Sequence, residues 1–163
     1  MDHQDTNVVL REVTPTDEPF LLEVYASTRR EELAGLGWDE NQKQAFIRMQ
    51  FISRERAYPR VDDRIIIFNG CSIGRIMIDR NETSILLRDI ALLTEYRNAG
   101  LGSRLIRDLM KEAASCGKSL QLHVLETSRA VRLYERLGFS RTGADAAYLE
   151  MTWTPPDFTA AQK

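Results

Sequence analysis

One stretch constrains this chain more than any other: an apolar run that feeds a glycine turn and then a helix. Ile85 to Leu93 is mostly apolar, and Arg97-Asn98-Ala99-Gly100-Leu101-Gly102-Ser103 follows it. From Ser103 onward, Leu105, Ile106, Leu109, Met110, Ala113 and Ala114 recur at helical spacing, up to Gly117. A strand entering a helix through such a turn gathers several backbone N–H groups around one point. The helix dipole adds partial positive charge there. The expected occupant is an anion, most often a phosphate.

The rest of the chain is read around this element. At 163 residues the length suits a single domain with a sheet, covering helices and a sizeable core. We place that domain at residues 1–153 and expect a loose tail over 154–163. A net charge of −2 gives no general attraction to nucleic acid or to an anionic membrane, so neither is expected as a partner. Cys71 and Cys116 lie far apart, and His3 and His123 are scattered, so no metal site is expected. The polar start lacks a signal-peptide pattern and no apolar run has the length of a membrane span, which points to a cytoplasmic, reducing location.

Val8 to Val13 reads as a strand, and Thr14-Pro15-Thr16-Asp17 as a turn and helix start leading to Phe20, Leu21, Val24 and Tyr25. Leu33 to Trp38 reads as a loop, with Asp39 capping a second helix whose Ala45, Phe46, Met49 and Ile52 share one face. Arg64–Phe68 and Ser72–Ile78 form a hairpin about Asn69-Gly70, and Arg80-Asn81-Glu82 is the next turn. Ile85 to Leu93 carries apolar residues on both faces, the pattern of a central strand buried on both sides. Leu120–Leu125 is a further strand. Thr127 or Ser128 caps a helix ending at Gly138, and Tyr148–Trp153 is the last strand. The order β-α-α-β-β-β-α-β-α-β-β implies an α/β fold of α+β type, a mixed sheet with helices on both faces.

The glycine turn lacks the Gly-Lys-Ser/Thr ending of an ATPase loop. It also lacks the third glycine of a dinucleotide fingerprint, since Leu105 stands there. What remains is Arg-x-x-Gly-x-Gly. After one more strand comes Leu133-Tyr134-Glu135-Arg136-Leu137-Gly138-Phe139, whose aromatics taken alone would suit a core. Together the two motifs strongly resemble the GNAT N-acetyltransferase superfamily, of the bacterial small-acetyltransferase type. Its acetyl-CoA loop is Gln/Arg-x-x-Gly-x-Gly/Ala, and its last helix commonly carries Leu-Tyr-x-x-x-Gly-Phe. Asp89 to Arg97 looks like the strand and lead-in of many bacterial members. The resemblance runs from Val8 to about Trp153.

The resemblance implies a mostly antiparallel sheet splayed between its fourth and fifth strands, with the pantetheine arm of acetyl-CoA in the opening. Leu92 and Leu93 would offer backbone groups to that arm. The main-chain N–H groups of Asn98, Ala99, Gly100, Leu101, Gly102 and Ser103 would hold the pyrophosphate, and Arg97 would support the loop or meet a phosphate. Tyr134 would be the general acid that protonates the leaving thiolate. Members often have an asparagine where Thr127 and Ser128 stand; a hydroxyl there can contact the cofactor arm or cap the helix. The implied reaction moves an acetyl group to a primary amine by direct attack in a ternary complex, and no metal is needed because the thioester is already activated. Losing the ammonium proton at pH 7 costs about 4–5 kcal/mol. Asp89, His123 and Glu126 are candidate bases. Each also has a structural explanation: pairing of Asp89 with Arg88 or another strand, a hydrogen-bonded core position for His123 (the favoured one), and a solvated strand end for Glu126.

In this family the first two helices and the last hairpin flank the acceptor. That points to Glu31, Glu32, Trp38, Tyr58 and the stretch Gly143 to Tyr148, with the acids drawing in a cationic amine and Trp38 serving as a wall or as a core aromatic. Arg104, Arg107 and Lys111, and likewise Arg129, Arg132 and Arg136, form basic stripes that suit a solvated helix face or the 3′-phosphate of coenzyme A. Two other functions fit the same motifs: a non-catalytic acyl-CoA sensor or scaffold, and an acyltransferase with another acyl donor. The expected partner is a small-molecule or peptide amine. Family relatives are often homodimers.

Overall fold

In the computed structural model, which describes residues 7–57 and 61–156, the chain forms β1 (Val8–Glu12), α1 (Glu18–Ala34), α2 (Glu40–Ala57), β2 (Asp62–Phe68), β3 (Cys71–Arg80), β4 (Ser84–Leu92), α3 (Leu101–Cys116), β5 (Ser119–Leu125), α4 (Ala130–Leu137), β6 (Ser140–Asp145) and β7 (Tyr148–Trp153). This is the expected order. The strands make one seven-stranded mixed sheet, β1-β2-β3-β4-β5-β7-β6. The described residues group into two compact units, one up to Met77 together with Asp89–Arg97, the other Ile78–Arg88 together with the chain from Asn98 on. Of the expected tail, Pro155 is buried and Thr154 and Pro156 are exposed, and the remainder lies outside the described residues.

In the first unit β1 pairs antiparallel with β2, from Val8↔Phe68 to Glu12↔Arg64. Asp17 fixes the entry to α1. Its carboxylate accepts from the Thr14 N–H at 2.8 Å and from the Arg11 guanidinium at 2.9 and 3.0 Å. The Arg11 hydrogen bond, more than the Thr14 N–H, holds the Asp17 carboxyl well below the usual carboxylate range. α2 starts with a reciprocal cap: Asp39 N–H donates to Gln42 Oε1, and Gln42 N–H donates to Asp39 Oδ1. The core joins Leu21, Tyr25 and Leu33 of α1 to Ile47 and Phe51 of α2 and Ile65 of β2.

Three expectations are corrected here. α1 continues through Leu33 and Ala34, because Leu33 has a core to fill. The inward face of α2 is set by Ile47 and Phe51, whereas Ala45 is exposed, as are Met49 at 58% and Ile52 at 39%. β4 is buried at Ser84, Ile85 and Leu87 but only half-buried from Asp89 on, and Leu93 lies beyond its end.

The Asn69-Gly70 turn adopts φ of +48° and +83°, the pair of positive angles that a two-residue hairpin turn requires. It leads into β3, whose Arg75 is 5% exposed. Arg75 donates to both carboxylate oxygens of Asp63 (2.9 and 2.7 Å) and to both of Glu55. Burial works against the charged guanidinium, yet these bonds outweigh it and Arg75 is held above the ordinary arginine range.

In the second unit β4 runs parallel to β5 from Ser84↔Ser119 to Leu87↔Leu122, and β5 pairs antiparallel with β7 from Leu120↔Trp153 to Leu125↔Tyr148. α3 buries Leu101, Leu105, Ile106, Leu109 and Ala113 against β5 and α4. It ends at Gly117 in the left-handed region.

Gly74 of β3 sets how closely β4 approaches. A Cβ at Gly74 would collide with the Ala91 carbonyl oxygen and lie 2.9 Å from Leu92 Cδ2 and 3.1 Å from Leu92 Cα. Backbone on the far side cannot rotate away as a flexible side chain can. Gly74→Ala is therefore expected to lower unfolding stability by about 1–3 kcal/mol in urea titration. An unchanged urea midpoint would show that β4 has room to shift.

Candidate active site

α3 begins at Leu101, two residues before the sequence pattern places it, and its approach is built from left-handed residues. Arg97 is extended, Asn98 takes φ +60° and Gly100 takes φ +82°. The first α3 hydrogen bond is Arg104 N–H to the Gly100 carbonyl at 3.0 Å. The N–H groups of Leu101, Gly102 and Ser103 precede it, in the turn where a helix has no internal acceptors. No acidic residue lies in this first turn, so no carboxylate competes for its positive end. Left-handed residues next to a helix start are also the geometry of an anion-holding nest.

Gly102 is the most telling residue. It is helical, so its backbone does not require glycine, and a Cβ built there meets nothing within 4 Å. Neither conformation nor packing among the described residues requires a glycine here.

Arg97 holds the base of this loop. Its Nε donates to the Leu92 carbonyl at 2.8 Å and its Nη2 to Ser27 Oγ at 3.2 Å. Ser27 is buried on α1 and its hydroxyl donates to the Val24 carbonyl. Of the two roles open to Arg97, support of the loop is the one these bonds perform. They also bear on Leu92 and Leu93. The Leu93 N–H is taken by the Ile73 carbonyl at 2.8 Å, and the Leu93 carbonyl accepts from Tyr96 N–H. By strand alternation the backbone groups of Leu92, and with them those of Ile90, face away from β3. Ile90 is thus a backbone position that sequence reasoning did not single out.

Tyr134, on α4, is 8% exposed and its ring lies 5.7 Å from that of Phe139, tilted by 59°. Gly138 closes the helix at φ +105° and brings Phe139 back onto it, with Phe139 N–H donating to the Tyr134 carbonyl. At the other end the N-cap of α4 is Arg129 rather than Thr127 or Ser128; Ser128 Oγ still accepts from Ala130 N–H at 3.1 Å, while Thr127 is exposed.

The candidate bases divide. Asp89 pairs with Arg54 of α2 at 3.0 Å; Arg88, the neighbour expected to meet it, pairs with Asp79 instead. His123 is not a core histidine. Its side chain is 55% exposed, and its Nε2 lies 3.7 Å from Glu150 Oε2 across the β5–β7 ladder. Leu120 and Leu122 take the buried face of β5, which sends His123 to the other. Glu126 is exposed, and its N–H donates to the Ala147 carbonyl.

Among the expected acceptor residues, Glu31 is exposed, Glu32 pairs with Arg29 at 3.0 Å, and Tyr148 is 51% exposed. Trp38 meets Phe46 edge-on at 5.2 Å. Tyr58 lies outside the described residues. Among the described residues no group of three or more His, Cys, Asp or Glu could hold a metal ion.

Sequence reasoning also missed Gly74, Arg75 and Ser27. A glycine inside a strand signals close backbone approach and could have marked Gly74. Ser27 carries no local signal for its bond to Arg97.

The model of the acetyltransferase (GNAT) domain matches residues 53–141. The chain is 28% identical over 98 residues to an uncharacterized N-acetyltransferase, CgeE, of Bacillus subtilis (strain 168), a match that takes in 53% of this chain and spans 38% of that relative's length. The PaiA N-acetyltransferase of Thermoplasma acidophilum, solved in complex with coenzyme A, aligns with a TM-score of 0.68 at 20% identity, covering 91% of this chain and 99% of its own. A GNAT family acetyltransferase of Elizabethkingia anophelis, with acetyl-CoA bound, aligns with a TM-score of 0.58 at 15% identity, covering 91% of this chain and 98% of its own. At these identities the two structures speak to the fold.

Arg97→Met removes both bonds at the loop base. It is expected to cost about 1–3 kcal/mol of unfolding stability, measured by urea titration. A variant as stable as the parent would return Arg97 to a ligand-contacting role.

Proposed function

The chain belongs to the GNAT acetyltransferase family, and on that premise we propose that it transfers an acetyl group from acetyl-CoA to a primary amine, by direct attack of the amine in a ternary complex. The observation that carries this reading is the start of α3: left-handed Asn98 and Gly100, free space at Gly102, and no acid in the first turn. In this reading the N–H groups of residues 98–103 hold the pyrophosphate, with the α3 dipole adding to them. Ile90 would offer its outward backbone groups to the pantetheine arm and Leu92 its N–H, since the Leu92 carbonyl already accepts from Arg97 Nε, while Leu93 and Arg97 fix the strand end. Ser128 shapes the start of α4 rather than touching the cofactor, and Thr127 stays open to such a contact.

When bound, the thioester would supply an activated carbonyl. Tyr134 would give its phenolic proton to the sulfur as the C–N bond forms and the C–S bond breaks, and would recover a proton from the attacking nitrogen. The incoming ammonium must lose a proton, and His123 and Glu126 are the groups proposed to receive it, directly or through water. Asp89 is the weaker choice because Arg54 already occupies its carboxylate. Glu31 would attract a cationic amine toward Trp38, while the Glu32 carboxylate is already paired with Arg29. A cytoplasmic setting belongs to the same proposal; the exposed free thiols of Cys71 and Cys116 suit a reducing compartment.

Calorimetry with acetyl-CoA on Gly102→Val and Gly102→Ala tests the pyrophosphate assignment. The valine variant should lose binding. The alanine variant should bind more weakly, yet be as stable as the parent or more so, by up to about 1 kcal/mol. Full affinity in the valine variant would refute the assignment. For Tyr134→Phe the expectation is a loss of about 100-fold in turnover with acetyl-CoA affinity nearly unchanged. Parental turnover would remove Tyr134 as the general acid.

A further inference from the structure

A concavity lies wholly within the first unit, between the start of α1 and the end of α2. Its volume is about 400 Å³, within the usual range of small-molecule sites. Its apolar lining comes from Val13, Pro15, Leu21, Phe51 and Ile52, and Thr14 adds a hydroxyl. Ile52 is 39% exposed, an apolar side chain left uncovered where the stripe of α2 turns outward.

Three charged residues also line the cavity: Glu18, Glu55 and Arg56. Glu55 is already committed, because both its carboxylate oxygens accept from Arg75. Glu18 and Arg56 are different. Both are exposed, and neither has an ion pair among the described residues. Among the described residues the cavity therefore presents a carboxylate and a guanidinium without ion pairs, together with apolar side chains.

We propose that this cavity is a binding site for a small zwitterion with a hydrocarbon body, the chemistry of an apolar α-amino acid. The ammonium is met by Glu18, the carboxylate by Arg56, and the side chain by Leu21, Phe51 and Ile52. Arg56 suits the carboxylate because a guanidinium can offer two parallel N–H donors. An organic cation alone leaves Arg56 without a partner, and an organic anion alone leaves Glu18 without one. Recognition of both charges by separate side chains distinguishes the zwitterion from either.

The test is direct binding, independent of any acetyl transfer. The δ1 methyl of Ile52 is followed by NMR in the full chain during titration with L-phenylalanine, with phenethylamine (no carboxylate) and with hydrocinnamate (no ammonium). L-Phenylalanine should move the Ile52 methyl saturably, and each analogue should bind about tenfold more weakly. Glu18→Gln should abolish the preference over hydrocinnamate, and Arg56→Gln the preference over phenethylamine. Both are exposed positions, so both variants should fold. An Ile52 methyl unmoved by L-phenylalanine up to its solubility limit would overturn the proposal, leaving Glu18 and Arg56 as charges that only complement their helix dipoles. Equal binding of all three probes would overturn it too, reducing the cavity to an unselective apolar cleft.

Discussion

The first N–H groups of α3 have no acceptors within their own helix, and the proposed site is built on them. A helix cannot satisfy its first N–H groups internally, so something else must meet them. Here the preceding residues turn through left-handed conformations at Asn98 and Gly100, and no acidic side chain in the first turn takes up the role. Gly102 keeps the space beside these donors clear. The chain accepts glycine's conformational freedom inside a helix, a cost of up to about 1 kcal/mol relative to alanine. Such a cost is understandable when it is offset by ligand approach.

Precision in such a site requires a loop that does not wander. In the first unit Arg97 ties the loop base to the Leu92 carbonyl and, through Ser27, to α1. Gly74 lets β3 approach Ala91 and Leu92 closely. One residue further along β3, Arg75 draws Asp63 of β2 and Glu55 of α2 onto the same strand. Buried ion pairs contribute little net stability, yet removing one partner is costly. The cluster thus ties β2 and α2 to β3 through one buried guanidinium.

Much of this was legible in the sequence, and for identifiable reasons. The strand, glycine turn and amphipathic helix that form β4 and α3 carry both a period change and a conformational signal. Asn69-Gly70 is a local code for its turn, and Asp39 with Gln42 is a local code for a helix start. The misreadings have physical causes too. The inward stripe of α2 is largely polar, since Lys43, Gln50 and Arg54 lie half-buried beside Ile47 and Phe51, and apolar spacing alone therefore points to Met49 and Ile52, which are exposed. His123 was misplaced although the alternation of Leu120 and Leu122 held the answer. The bonds of Arg97 to Ser27 and of Arg54 to Asp89 join residues distant in sequence, and no local pattern encodes them.

A titration of the isotopically labelled chain with coenzyme A, read at every backbone amide, asks whether the donors at residues 98–103 grip a diphosphate. The amides of Gly100, Leu101, Gly102 and Ser103 should show the largest shifts, and dephosphorylated pantetheine should leave them nearly unmoved. Large shifts elsewhere with these four amides silent, or equal shifts from pantetheine alone, would contradict it.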